Sequence, residues 1–295
     1  MLAAIGVTIV ILAVISGFLL ERGNLSILIQ PAELIIICGA TLGSFLIASP
    51  KKLAFRLMKD FFSVFIPKKD PKLIFFNILL LLFELVTYFR REGAMAVEKH
   101  VNEPKKSFIF NKYPLVRDDS DLCDFICDNL KIFIAVNIEP YEFDNLMEID
   151  IETYQTRALV SPIALGKVAD SLPGLGILAA VLGVVLTMGK LNEPPEILGH
   201  SVGAALVGTF LGVLGCYGLV GPISIHLEHL AQEKQAMLNV IKTTLTASAI
   251  GIPPAMAVES GRRAIPNEYR ISFDRLERYI RSERDKADQA NYSQA

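Results

Sequence analysis

Residues Lys167 to Glu228 read KVADSLPGLGILAAVLGVVLTMGKLNEPPEILGHSVGAALVGTFLGVLGCYGLVGPISIHLE, and this stretch decides the architecture. It is apolar from Leu172 to about Met188, turns through Asn192-Glu193-Pro194-Pro195-Glu196, and is apolar again from Val202 to about Ile225. Each arm holds about 20 residues of low polarity, enough for a helix rising ~1.5 Å per residue to cross a hydrocarbon core of roughly 30 Å. The stretch therefore predicts a membrane hairpin. Neither arm contains Asp, Glu, Lys, Arg or His; its polar side chains are Thr187, Thr209, Cys216, Tyr217 and Ser224. Hydroxyls do not cycle a proton near neutral pH, so a proton path along this hairpin requires a titrating group from another chain. Asp170 stands only at one mouth.

Both arms are rich in small residues: Gly174, Gly176, Ala179, Ala180 and Gly183 in the first, and Gly203, Ala204, Ala205, Gly208, Gly212, Gly215 and Gly218 in the second. In lipid no hydrophobic force drives helices together, so close backbone approach through small side chains is a main source of packing energy. The run Ala204, Gly208, Gly212 repeats a small residue every fourth position and predicts a helical neighbour.

Outward from the hairpin, composition is that of a membrane protein with a soluble part. The chain has 295 residues, 52% of them hydrophobic, with 29 Lys and Arg against 31 Asp and Glu; a net charge of −2 argues against a nucleic-acid partner. Ala3 to Leu20 is a first apolar run. No basic residue precedes it and no small-residue cleavage site follows, so it reads as a retained membrane helix. A second span runs from about Leu34 to Ala48. Lys51, Lys52, Arg56 and Lys59 follow at once and place that end in the cytoplasm, because basic residues beside spans stay inside. Only Arg22 and Lys190 of the basic residues fall in the two short loops. The expectation is an all-α polytopic membrane protein with four spans, both termini cytoplasmic, and a helical cytoplasmic domain between the second and third. Its parts are 1–49 (two spans), 50–169 (cytoplasmic domain), 170–225 (the hairpin) and 226–295 (cytoplasmic tail).

Leu73 to Phe89 is nearly long enough to span, but Asn77 and Glu84 interrupt it, and a charge near the centre of a span costs about 2.5–3.5 kcal/mol. It is expected to be a buried or membrane-surface helix. Beyond it, Met95 to Val101 has helical spacing, and Asp118-Asp119-Ser120-Asp121 suits a helix start before Leu122, Phe125, Ile126 and Leu130. Phe143, Leu146, Met147 and Ile151 suggest a helix that feeds the third span despite Pro162. Leu227, Leu230, Leu238, Ile241 and Leu245 extend the fourth span as a long amphipathic helix to about Gly251. A last helix over 269–284 presents Phe273, Leu276 and Ile280 on one face, and 285–295 is expected to fray.

No enzyme constellation is present: no phosphate-binding glycine loop, no nucleophile elbow, and no cofactor site. Cys123 and Cys127 lack metal spacing, and His226 and His229 at a span exit read as interfacial groups, so no metal is expected.

The segments Val168-Ala169-Asp170-Ser171-Leu172-Pro173-Gly174-Leu175-Gly176 and Gly208-Thr209-Phe210-Leu211-Gly212, the pair Gly221-Pro222, and Ala257-Val258-Glu259-x-Gly261-Arg262 resemble the A subunit of the bacterial flagellar motor stator, the MotA family. The resemblance covers nearly the whole chain. It implies a location in the bacterial inner membrane and a ring, thought pentameric, around two helices of a MotB partner whose Asp carries the ion. It also implies that ion flow turns the ring against the rotor protein FliG. Pro173 and Pro222 match the family's mechanistic prolines. By itself, Pro173 reads as a first-turn proline of the third span and Pro222 as a kink near the end of the fourth. Thr209, Ala180, Asp170 and Tyr217 join them in the implied ion path, and Ala180, where sodium-driven relatives carry Thr, favours H⁺ as the coupling ion. Arg90, Glu98 and Asp150 match the rotor-contacting charges, with Glu148 competing for the last position. An ExbB/TolQ-type energiser is the alternative within proton-driven machines, although that family usually has three spans. A membrane scaffold without motor role, independent of any MotB-like partner, is the broader alternative.

Overall fold

The computed structural model describes residues 2–67, 69–136 and 138–292, with side chains through residue 282. Among the described residues there is no strand. The helices are α1 (Leu2–Leu20), α2 (Leu25–Leu28), α3 (Pro31–Ala48), α4 (Lys51–Ser63) and α5 (Pro71–Glu92). Then come α6 (Ala94–Asn102), α7 (Phe108–Asn111), α8 (Pro114–Arg117), α9 (Ser120–Ala135) and α10 (Pro140–Met188). After the turn, α11 (Pro195–Val213) passes through a π-helical segment, Leu214–Val220, into α12 (Gly221–Ala249). The last two are α13 (Pro254–Ala264) and α14 (Phe273–Tyr292).

Packing divides the chain at 67/68, 156/157 and 231/232, so that α10 and α12 each contribute to two compact units. The limits of the apolar spans predict boundaries at 49/50, 169/170 and 225/226. The first differs because Leu57, Phe61, Val64 and Phe65 of α4 and its C-terminal turn pack with Leu165, Ile223 and Leu227. Those apolar contacts hold the basic helix in the membrane-type unit.

The unit of 68–156 and 232–295 is built around α5. Phe75, Ile78, Leu79, Leu81 and Leu82 are all 0% exposed, which is why this helix is apolar on every side. Each such side chain contributes about 1.5–3 kcal/mol on burial. Both polar interruptions find partners: Asn77 Nδ2 donates to the Leu73 carbonyl (2.7 Å), and Glu84 accepts from Lys112 Nζ (2.7 Å) and Tyr113 Oη. The expectation of a buried helix is met within this core. Helix α9 starts as predicted, with Asp119 Oδ1 accepting from the Leu122 N–H. Leu122, Phe125, Ile126 and Leu130 are buried, as are Phe143, Met147 and Ile151 of α10. Two residues depart from the pattern. Leu146 and Phe273 are exposed, Phe273 because α14 begins there, so that only Leu276 and Ile280 follow on the packed face. The helix continues to Tyr292 through most of the stretch expected to fray; residues 293–295 lie outside the described residues.

The unit of 1–67 and 157–231 holds the apolar helices. Helix α1 has no buried residue, and Leu2, Ile5, Ile9 and Leu12 are exposed, a surface that asks for lipid or helical neighbours rather than water. By length and apolarity, Leu2–Leu20, Leu25–Ala48 and the apolar parts of Pro140–Met188 and Pro195–Ala249 are each able to cross a membrane. Pro71–Glu92 meets the same measure but lies in the other unit's core.

Candidate functional site

The two arms of the hairpin meet where neither has a side chain. A methyl placed on Gly176 comes 2.7 Å from the Gly208 carbonyl oxygen and 3.0 Å from Cα of Gly212. One on Gly212 comes 2.5 Å from the Leu172 carbonyl oxygen. Farther along, a methyl on Gly183 comes 2.6 Å from Cβ of Ala205. The packed stripe of α11 is thus Ala205, Gly208 and Gly212, all buried, whereas Ala204 of the predicted four-residue repeat is half-buried beside it.

Prolines flank the crossing. Pro173 is not a first-turn proline, because α10 runs unbroken from Pro140 through Pro162 and Pro173 to Met188. At an interior position the missing N–H leaves the carbonyl of Ala169, which is 2% exposed, without its helical donor. Leu172, directly before it, supplies the oxygen against Gly212. Pro222 acts upstream: its ring and missing N–H are accommodated by the π segment, which ends with the Gly221 N–H bonded to the Cys216 carbonyl five residues back. Ser224 Oγ then donates to the Pro162 carbonyl at 2.8 Å, tying α12 to α10.

The other expected ion-path residues separate into inside and outside. Ala180 is 8% exposed, and its backbone nitrogen is 3.2 Å from where a Gly208 methyl would sit, so it belongs to the crossing. Thr209 is half-buried; unlike Thr187, which donates to the Gly183 carbonyl at 2.9 Å, it has no hydrogen-bond partner among the described residues. Asp170 and Tyr217 are exposed, Tyr217 at 74%.

One residue was missed. The sequence places the second span from about Leu34 and gives Glu33, just before it, no role, whereas α3 starts at Pro31 and Glu33 lies in its first turn, 8% exposed. The signal was present as Gln30-Pro31-Ala32-Glu33: proline at the first helical position and an acid two later is a helix-start pattern. Glu33, Ile37 and Thr41 form the buried stripe of α3, which packs against α11.

The expected rotor-contacting charges all lie in the other unit. Glu98 and Asp150 are exposed. Arg90 is also exposed, and its Nη2 donates to the carbonyls of Gly251 and Ile252 (3.1 Å to the latter), just past the end of α12, where a cation complements the helix dipole. The competing position Glu148 accepts from Lys242 Nζ at 2.6 Å, beside Asp144 at 3.3 Å. Burial alone would lower the Lys242 ammonium, but hydrogen bonding to Glu148 and the charge of Asp144 raise it above its ordinary value. Among the described residues no three His, Cys, Asp or Glu side chains come together as a metal site would need.

Comparison with known proteins gives two family matches: Motility protein A N-terminal over residues 4–93, and the MotA/TolQ/ExbB proton channel family over residues 122–239. Motility protein A of Escherichia coli (strain K12) is 36% identical over 295 residues, covering 100% of both chains. Among solved structures, the C. jejuni MotAB structure superposes with a TM-score of 0.76 at 19% identity, covering 92% of this chain and 98% of that one. The flagellar MotAB stator complex from Bacillus subtilis gives 0.74 at 22% identity, covering 93% and 98%. Both are likenesses of fold.

Proposed function

The chain belongs to the motility protein A branch of the MotA/TolQ/ExbB proton channel family, and from that premise we propose that it is the A subunit of a flagellar stator, converting ion flow into torque on a rotor. The observation that carries the reading is the hairpin itself: two apolar arms, crossed through Gly176, Gly208 and Gly212, with Pro173 at the crossing and Pro222 beyond it. It packs a path without supplying an ion carrier from its own arms. A MotB-like partner supplies the carrier, an aspartate. Protonating that carboxylate in a low-dielectric interface removes a charge and changes which helix packing the interface prefers.

In this reading four helices span the inner membrane, both termini are cytoplasmic, and five copies ring the partner's helices. Pro173 and Pro222 couple the ion step to the helices that enter the cytoplasm, Thr209 and Ala180 line the step, and Asp170 and Tyr217 serve its ends. An alanine at 180 offers no ligand to sodium, which favours H⁺. Arg90, Glu98 and Asp150 contact FliG; exposed charges of this kind set the approach and orientation of a partner more than its affinity. Full-length similarity to a motility protein A weighs against an ExbB/TolQ-type energiser.

The test is to co-express the chain with a MotB-like partner in a channel-open form and record cytoplasmic pH while an inward proton gradient is imposed. Acidification that needs both chains and is abolished by the partner's Asp→Asn change is the expected result. No flux of protons or sodium in any combination would defeat the reading and leave a membrane scaffold.

A further inference from the structure

Glu33 is the one acidic side chain among the described residues that is buried in the membrane-type unit, at 8% exposed, and its Oε2 reaches no hydrogen-bond donor. The carboxylate occupies a notch that exists because two glycines lack side chains. A methyl on Gly208 would come 2.6 Å from Glu33 Oε2 and 3.1 Å from Cβ of Ala179, and one on Gly183 would come 3.3 Å from Glu33 Oε1. The notch thus opens between both arms of the hairpin, beside Ala179 and Ala180. Two helical turns along the same stripe of α3, Thr41 Oγ1 is also buried without a partner.

No side-chain cation compensates this carboxylate among the described residues. Helix α2 carries no charge, and the charged or titratable side chains of α11 are Glu196 and His200, both exposed in its first turns. On α10, Lys167 and Asp170 are exposed at the far end of the crossing, and in the loops Arg22 and Lys190 are exposed, with Lys190 Nζ directed to Ser201 Oγ at 3.4 Å. An uncompensated carboxylate among alanines and glycines is costly, so the site calls for a proton or a cation. A metal cation needs several oxygen ligands around it, and the other unpartnered buried side-chain oxygen of this stripe, Thr41 Oγ1, lies two helical turns away. The occupant that fits is H⁺.

We propose that Glu33 is a second proton-binding carboxylate of the ion path, contributed by this chain and placed between the loop side of the hairpin and the step at Ala180 and Thr209. An incoming proton forms an O–H bond on the Glu33 carboxylate; that bond breaks as the proton passes, through water, to the partner's aspartate, and Glu33 returns to its ionised form. The role rests on the channel reading above.

The experiment uses the complete complex with its MotB-like partner, reconstituted in vesicles, and measures proton flux at graded external pH for wild type, Glu33→Gln and Glu33→Asp. It is accompanied by infrared spectra of the carboxyl stretch. Glu33→Gln should lower flux about tenfold, a modest share of what a positioned proton-transfer group can contribute, flatten the response to external pH, and remove one protonated-carboxyl band. Glu33→Asp should restore part of the flux and shift that band. If Glu33→Gln does not assemble, Glu33→Asp decides: an unaltered pH response and an unshifted band overturn the proposal. A wild-type complex that carries no protons defeats the channel reading itself. A complex that conducts, stops with the partner's Asp→Asn change, and is indifferent to Glu33→Gln in flux and spectrum overturns the role of Glu33 alone.

Discussion

Replacing Gly212 by alanine puts a methyl carbon 2.5 Å from the Leu172 carbonyl oxygen and 2.9 Å from Cα of Gly176. The first distance falls nearly an ångström short of the 3.4 Å at which ordinary contact begins. Both obstructing atoms belong to backbone, so no side-chain rotation relieves the clash and the two helices must part. Overpacking of this kind costs about 1–3 kcal/mol, against a gain of up to about 1 kcal/mol from alanine's better helix propensity. Gly174→Ala provides the internal control, because a methyl there meets nothing within 4 Å. Thermal unfolding of the detergent-purified complex should show a lower midpoint for Gly212→Ala, at roughly 2–4 °C per kcal/mol for large domains, and none for Gly174→Ala. Proton flux should fall with Gly212→Ala as the crossing opens. A Gly212→Ala midpoint at or above wild type, or an equal loss at Gly174, refutes the crossing as described.

Tyr113 is 4% exposed, donates to Glu84 and lies 2.6 Å from Tyr279 Oη; burial, then Glu84, keeps the phenol protonated well above its usual range. Tyr113→Phe leaves the Glu84 carboxylate short of a donor and should destabilise the helical core by about 1–3 kcal/mol, read by calorimetry; an unchanged unfolding midpoint would show the bond to be idle. The Glu259 carboxyl is held below its ordinary value of 4.5 by hydrogen bonds from Arg262 at 2.7 and 2.8 Å, and then by Arg263 at 3.0 Å. Because the folded-state value is the lower one, this stabilisation is complete above the ordinary carboxylate range and is lost as pH falls through the folded value. Glu259→Gln should therefore cost on the order of 3 kcal/mol at neutral pH and reduce the acid sensitivity of the unfolding midpoint; an unaltered acid slope would contradict the assignment.

The features legible in the sequence are those that one helix reveals by itself. Arm length and the absence of charge identified the hairpin, and Asp119 followed by Leu122, Phe125 and Ile126 identified the start and the face of α9. Glu84 marked the run as one that needs a partner, because a charge inside an apolar run must find one somewhere, and here it finds Lys112 and Tyr113. What escaped depends on neighbours. Glu33 is ordinary at a helix start until Gly183 and Gly208 come to surround it. Pro173 looked like a helix start because proline is tolerated there, but tertiary packing carries α10 through it. Arg90 read as a surface charge, and only folding brings the carbonyls of Gly251 and Ile252 to it across more than a hundred residues of chain.

The π segment Leu214–Val220 has a consequence for how such chains are aligned. A bond spanning five residues instead of four, as between Gly221 and Cys216, encloses one residue more than a regular turn would need. That surplus residue offsets the two flanks by about 100° around the helix axis, the step of a single residue. Gly212, against Leu172, and Ile223, in the cluster with Leu165, stand on either side of that segment and are both buried. A relative one residue shorter between 214 and 220 would keep both faces inward with a regular turn in place of the wide one. A single-position gap at that place is therefore a difference in winding, not a loss of any contact.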